Sequence, residues 1–307
     1  KIKMYFKRLI FIVLFVCGTC CYSQTDSLTF ERNSFEIDDL PKDTLTETEV
    51  FADSLYTMPK KTPDIIRITD AFLYTLSSPV RWRKDDLLTF GATLGGTALL
   101  SLADKPVNEF MNRDQGKFVN KLGDFGYRNG KPYAAVIVAG GFYATGWIIN
   151  DEWTKETAAI LTAAYATSGV LQTAMKKIVG RARPTEGFGN YEFRPFRNDP
   201  GFSSFPSGHS QIAFVTAFVL AERVEQPWLK GLFYTGAAVT MASRMYANAH
   251  WVSDVAFGGI LAYFCTKTVI KRFEQTKYEN PWEKYQKKHI TWNFSVTGNG
   301  VGLIGTF

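Results

Sequence analysis

Residues 157–184 read TAAILTAAYATSGVLQTAMKKIVGRARP. The stretch from Thr157 to Met175 is uncharged and rich in Ala and Thr, long enough to be read as a buried or membrane helix rather than a strand. It ends in Lys176, Lys177, Arg181 and Arg183, and Pro184 pushes Arg183 into an extended conformation. Cations at a helix C-terminus are favourable in their own right, which accounts for one or two of these residues. Four within eight positions suggest that several converge on one anion.

Working outward, comparable apolar runs occur at Leu87 to Ala103, Tyr133 to Ile149, Ser203 to Ala221, Gly231 to Ser243 and Val255 to Thr266. Together they predict an all-α bundle of about six main helices, with additional short helices, over residues 65–275. Their Ala, Gly and Thr content lets helices approach closely in a bilayer and equally suits a water-soluble bundle. The run lengths lie near the roughly 20 residues needed to span, so both placements stay open. The 307 residues, 46% of them hydrophobic, exclude disorder throughout, collagen and small disulfide scaffolds. No Gly-rich phosphate loop follows a strand, so nucleotide binding has no support, and no nucleic-acid partner is expected.

The two ends differ from the middle. Lys1, Lys3, Lys7 and Arg8 precede the apolar run Leu9 to Cys17, and Gly18, Thr19 and Ser23 follow, which predicts a secretory signal peptide over 1–24. Residues 25–64 read as an acidic, disordered linker, with nine acidic residues against two basic ones between Thr25 and Pro59. Past the linker the chain is basic, as suits phosphate-bearing partners or anionic membrane surfaces. Once a signal peptide is removed only Cys265 remains, so no internal disulfide is expected. In the tail, 276–307, Ile290, Trp292, Phe294 and Val296 alternate before Asn299-Gly300, which predicts a small β-hairpin. His289 reads as an ordinary surface residue.

Two further segments carry chemistry. In Ser203-Ser204-Phe205-Pro206-Ser207-Gly208-His209-Ser210, Ser207 or Gly208 falls near a helix N-cap, where free amides form an anion site and His209 can reach a bound group. In Ser243-Arg244-Met245-Tyr246-Ala247-Asn248-Ala249-His250-Trp251-Val252-Ser253-Asp254, His250 and Asp254 are four apart and share a face if that turn is helical. A carboxylate on one imidazole nitrogen would fix the tautomer and leave the other as nucleophile or base.

These three segments resemble the phosphatidic acid phosphatase type 2 superfamily, whose signature is Lys-x6-Arg-Pro, Pro-Ser-Gly-His and Ser-Arg-x5-His-x3-Asp. Lys176 with Arg183-Pro184, Pro206 to His209, and Ser243, Arg244, His250 and Asp254 fill every position. The resemblance covers roughly residues 70–272 and implies a metal-independent phosphomonoester or diphosphate hydrolase with no cofactor. His250 would attack phosphorus, Asp254 would orient it, and His209 would serve as acid and then base. Lys176, Arg183, Arg244 and the amides near Ser207 and Gly208 would hold the phosphate oxygens. Lys177 and Arg181 lie outside the signature and read as solvated or lipid-facing.

The implied substrate is a phosphorylated lipid or isoprenoid diphosphate, handled at a cell-envelope membrane with the active site facing the periplasm. Three other readings stand beside it: a broad-specificity soluble periplasmic acid phosphatase, a vanadium-dependent haloperoxidase using the same signature, and a non-catalytic envelope scaffold. Phe188, Tyr191, Phe193 and Phe196 could form an aromatic wall over the cleft or anchor a loop at a membrane interface. The sequence specifies no oligomeric state.

Overall fold

The computed structural model describes residues 61–113, 117–279, 291–297 and 300–306. In chain order the helices are α1 (Asp64–Leu76), α2 (Lys84–Leu100), α3 (Asp104–Met111), α4 (Lys117–Asn129), α5 (Pro132–Ile148), α6 (Glu152–Val179), α7 (Gly208–Arg223), α8 (Pro227–Tyr246) and α9 (Val252–Gln275). The stretch expected to be a signal peptide and most of the expected acidic linker lie outside the described residues, as do His289 and residues 298 and 299. Strands β1 (Thr291–Thr297) and β2 (Gly300–Thr306) pair antiparallel, with Phe294 opposite Leu303. The chain divides into two units. Of the first, Lys1–Met58 with Ile148–Asn150, only residues 148–150 are described, at the end of α5; the second, Pro59–Trp147 with Asp151–Phe307, contains all the other described residues.

Each apolar run of the sequence became a helix, and the fold among the helical residues is all-α. Asp151 caps α6, its carboxylate accepting from the Thr154 amide at 2.8 Å. The buried face of α6, Ala158 to Leu161 with Ala163 and Ala164, packs against α1, α7 and α9, whose small and β-branched residues (Ala213, Val215, Val219, Val255, Ala262) let the axes approach closely. Arg67 of α1, 1% exposed, donates to Glu156 and to the Phe273 carbonyl, both at 2.8 Å, and so ties α1 to α6 and α9. The end of the acidic segment is tied in as well, since the Thr62 amide donates to the Lys277 carbonyl.

Helices α1 and α4 alternate charged and apolar residues and so interrupt no uncharged run, which is why apolar runs alone number fewer helices than the structure has. The stretch Lys84–Met111, α2 to α3, is long and apolar enough to cross a membrane, and none of its apolar window is buried; α5 is apolar but shorter.

Helix α6 stops at Gly180, whose φ of 56° is left-handed. A Cβ there would also lie 2.0 Å from the Arg194 carbonyl oxygen. The Gly180→Ala variant is therefore expected to lose about 2 kcal/mol or more in stability, from backbone strain plus a contact that cannot relax without moving the 181–206 loop. Urea unfolding checks this; a midpoint like that of the parent would contradict it.

Candidate active site

Three backbone junctions bring the motifs together. After α6 the chain forms a β-bridge between Arg181 and Phe193, and Arg183 and Ser204 are fixed by hydrogen bonds from the Arg183 amide to the Gly201 carbonyl and from the Ser204 amide to the Arg181 carbonyl. At the start of α7 the Ser207 amide donates to the Asp254 carbonyl at 3.0 Å. At the α8–α9 junction the Ala249 amide donates to the Arg244 carbonyl, and the Trp251 indole donates to the Ala182 carbonyl at 2.9 Å. The end of α6, the start of α7 and the α8–α9 turn thus share one end of the bundle.

His250 is 3% exposed, and its Nδ1 lies 2.7 Å from the Ser204 carbonyl oxygen. A carbonyl only accepts, so Nδ1 carries the proton and Nε2 keeps its lone pair. This departs from the expectation that Asp254 holds the imidazole directly. The turn at His250 is not helical: α9 begins at Val252, and Asp254 sits at its third position, where Oδ2 accepts from the Trp251 amide at 2.9 Å as a capping box. Asp254 Oδ2 lies 3.9 Å from His250 Nδ1 and takes a 2.5 Å bond from the Ser204 hydroxyl. Asp254 therefore reaches His250 through space and through Ser204, the residue whose carbonyl sets the tautomer.

The structure also corrects the reading of Arg181 as solvated. It is 3% exposed and lies between two carboxylates that are each 0% exposed, 2.5 Å from Asp104 Oδ2 and 2.6 Å from Asp254 Oδ1. Its remaining donors reach the Ser253 hydroxyl at 2.7 Å and the Asn190 carbonyl at 2.9 and 2.6 Å. Asp104 in turn accepts from the amide and hydroxyl of Ser253. Residues i and i+2 of an extended chain lie on the same side, so local spacing carried no signal that Arg181 would part from Arg183. Asp104 follows the apolar run Leu87 to Ala103, where a carboxylate reads equally as a solvated helix end. Lys177 is exposed, as expected.

Lys176 donates to the Ser203 carbonyl. Arg183 donates to the Pro200 carbonyl and the Ser203 hydroxyl at 3.0 and 3.1 Å. Arg244, 7% exposed, keeps a buried Nε without a partner among the described residues, and its guanidinium lies 4.9 Å from the centre of the Tyr127 ring. Burial and the charges of Lys176, Arg183 and Arg244 hold the His250 imidazole well below the usual histidine range. Burial, then Arg244, Lys131, Lys176 and Arg183, lower His209 to about 4. The same three cations thus bear on both histidines. His209 Nε2 is buried without a partner among the described residues, and its ring stacks on Tyr127 at 5.4 Å. A Cβ on Gly130 would come within 2.6 Å of His209 Cβ, so only glycine lets the end of α4 pack here.

Ser207 caps α7, its hydroxyl accepting from the Ser210 amide at 3.4 Å. Its own amide is committed to the Asp254 carbonyl, so of the pair expected to bind an anion only the Gly208 amide remains for that role. The Gln172 amide group, which donates to the Pro206 carbonyl at 3.0 Å, lies 3.1 Å from where a Gly208 Cβ would be. Among the described residues no group of three or more His, Cys, Asp or Glu is placed to hold a metal.

Burial, with Arg183 nearby, lowers Lys176 to about 8. Lys176 is therefore cationic below that pH and neutral above it, while His209 stays neutral across pH 6–9. Sulfate, whose charge is constant there, is expected to bind progressively more weakly as pH rises through about 8, because the anion favours charged Lys176. Calorimetric titration of the wild type and Lys176→Met checks this. A flat wild-type profile, or an unaltered one in the variant, would contradict it.

Beside Tyr127 and Arg244 opens a cleft of about 590 Å³, lined in addition by Asn112, Asn120, Gly123, Asp124, Ser243, Tyr246, Ala247 and Asn248.

Three cations grouped with a tautomer-locked imidazole are an arrangement able to hold an oxyanion. Residues 157–278, which hold all three motifs, match the model of the PAP2 superfamily. The chain is 39% identical over 98 residues to a lipid A 1-phosphatase of Rhizobium etli, covering 30% of this chain and 41% of that one. It is 34% identical over 109 residues to a lipid A 1-phosphatase of Porphyromonas gingivalis, covering 32% and 24%. The chain spans less than half the length of the curated relatives it matches. Among solved structures, Aquifex aeolicus LpxE aligns at 22% identity and TM-score 0.44, covering 55% of this chain and 94% of that one. The first transmembrane PAP2 type phosphatidylglycerolphosphate phosphatase from Bacillus subtilis aligns at 20% identity and TM-score 0.44, covering 61% and 96%.

Proposed function

We propose that this chain is a phosphatase that hydrolyses a phosphomonoester or diphosphate of a lipid through a phosphohistidine intermediate on His250. The observation that carries the reading is that Lys176 and Arg183 both donate to Ser203, next to the Ser204 carbonyl that holds Nδ1 of the buried His250. Phosphoryl transfer needs positioning and compensation of negative charge more than covalent assistance, and three cations with the Gly208 amide at the start of α7 supply both without calling on a metal.

In the first step His250 Nε2 forms a bond to phosphorus as the bond to the leaving oxygen breaks, and His209 gives that oxygen a proton. In the second, water attacks phosphorus, His209 takes its proton, and the P–N bond breaks to release phosphate. A neutral His209 in the free site fits this sequence, because an incoming phosphate offsets the cations that hold its proton affinity down, so the acid is charged by substrate binding.

A lipid substrate is supported by the names of the relatives and by the unburied apolar helix α2. The loop residues Phe188, Tyr191, Phe193 and Phe196, all exposed, sit beside Arg194 and Arg197, a composition suited to a membrane interface. We place the protein at a cell-envelope membrane with this end of the bundle facing the periplasm. The test is inorganic phosphate release in EDTA from phosphatidate, undecaprenyl diphosphate and p-nitrophenyl phosphate. Release confined to lipid substrates supports the reading, and a preference for the aryl phosphate would move the protein to the soluble acid phosphatases.

A further inference from the structure

Asp104 opens α3 and lies outside the three motifs. In the stretch Lys84–Met111, whose apolar window is unburied, it is the one buried residue among those described. What this segment buries is therefore a carboxylate instead of hydrocarbon, which is costly unless the charge is answered. Two contacts seat it against the turn that carries His250. Asp104 accepts from the Ser253 amide at 3.0 Å, the Ser253 hydroxyl at 2.9 Å and Arg181 at 2.5 Å. One turn later Asn108 donates at 2.6 Å to Asn248, two positions before His250.

The charges of this network do not balance. Asp254 also takes three donors, from Arg181, the Ser204 hydroxyl and the Trp251 amide. Three donors on each carboxylate hold both ionised. Two carboxylates on one guanidinium leave one negative charge in excess, where every group is buried. A structural ion pair needs no such excess, because one carboxylate already neutralises Arg181 and a second adds desolvation and repulsion.

The proposed reaction creates the matching charge. His250 keeps its Nδ1 proton on the Ser204 carbonyl, so the ring becomes cationic when the Nε2 lone pair bonds phosphorus and the leaving oxygen departs. Asp254 Oδ2 lies 3.9 Å from Nδ1 of that ring. Arg181 answering to Asp254 alone would cancel its charge there; Asp104, by drawing on the same guanidinium, leaves that charge for the ring. The field is fixed by hydrogen bonds before substrate arrives, as charge stabilisation in catalysis requires. We infer that Asp104 is a positioning residue of the nucleophile, acting through Arg181 and Asp254 to stabilise the imidazolium of the phosphoenzyme. This deepens the phosphatase reading and rests on it.

Asp104→Asn is tested by two readings that should move in opposite directions. Removing a negative charge makes the site more positive, so sulfate should bind about threefold more tightly below the pH at which Lys176 loses its charge. Formation of the ³²P-phosphoenzyme at saturating substrate should slow about tenfold, because the cationic ring has lost its counter-charge. A merely structural residue would loosen the site and weaken both. The double variant Asp104→Asn with Arg181→Gln restores an excess of one negative charge and should return both readings toward the wild type. It also serves where the single variant is too unstable to assay. The substrate is whichever of phosphatidate, undecaprenyl diphosphate and p-nitrophenyl phosphate the wild type turns over. Sulfate binding that is unchanged or weaker, an unchanged rate, a further loss in the double variant, or failure of both variants to fold overturns the role of Asp104, while a wild-type phosphoenzyme upholds the phosphatase. No phosphate from any of the three substrates overturns the phosphatase reading, and this inference with it.

Discussion

Replacement of His250 by alanine is expected to cut phosphate release at least about a thousandfold, since loss of a nucleophile removes the covalent route altogether and leaves only binding and charge compensation. The pocket should survive the change: the Ser204 carbonyl loses one hydrogen-bond partner, whereas Lys176, Arg183 and Arg244 keep their own anchors. Sulfate binding therefore separates loss of chemistry from loss of structure, because His250→Ala should still bind the anion while turning over no substrate. His209→Ala is expected to fail differently, with the second step slowed most because no base remains to activate water, so that phosphoenzyme accumulates. A His250→Ala protein within tenfold of wild-type activity would contradict the assignment.

The second large effect is expected at Arg181, a residue outside the signature. Truncation to alanine leaves Asp104 and Asp254, both fully buried, without the one guanidinium they share, and breaking a buried ion pair from one side costs about 3–5 kcal/mol. Arg181→Lys should recover little of this, since one ammonium cannot reproduce the planar set of donors that serves two carboxylates, the Ser253 hydroxyl and the Asn190 carbonyl. Urea unfolding of both variants measures it, and an Arg181→Ala protein within 1 kcal/mol of the parent would show that the network carries little stability. Asp104→Asn probes the same network from its far end. With two carboxylates on one guanidinium, Asp254 keeps net negative charge toward His250. With Asp104 neutral, Arg181 cancels Asp254, and the imidazole faces Lys176, Arg183 and Arg244 without compensation.

The residues proposed for the site stand in three short motifs, because phosphate chemistry demands particular residue types at fixed local spacing. Lys176, Arg183, Arg244, His209 and His250 meet at the end of the bundle that their positions beside apolar runs implied. What escaped was set by contacts distant in sequence. Nothing near Asp104 indicates that it will accept from Arg181, 77 positions later, or from Ser253, 149 positions later. Spacing four apart suggested a direct His250–Asp254 bond, yet spacing says nothing about whether a turn is helical, and the capping of α9 drew Asp254 to the Trp251 amide instead. Tyr127 was invisible for a related reason: its role depends on Gly130 allowing α4 to press against His209. The helices themselves were readable wherever uncharged runs were long, and less so at α1 and α4, whose buried faces are interrupted by charge.

The most direct test of the account is rapid-quench labelling of the wild type and His209→Ala with substrate carrying ³²P in the scissile phosphate, followed by mapping of the labelled peptide. The account predicts an acid-labile, base-stable phosphoryl group on His250 that builds up further in His209→Ala and is absent from His250→Ala. Turnover with no trapped phosphoenzyme in either protein, or a label on any residue other than His250, would contradict it.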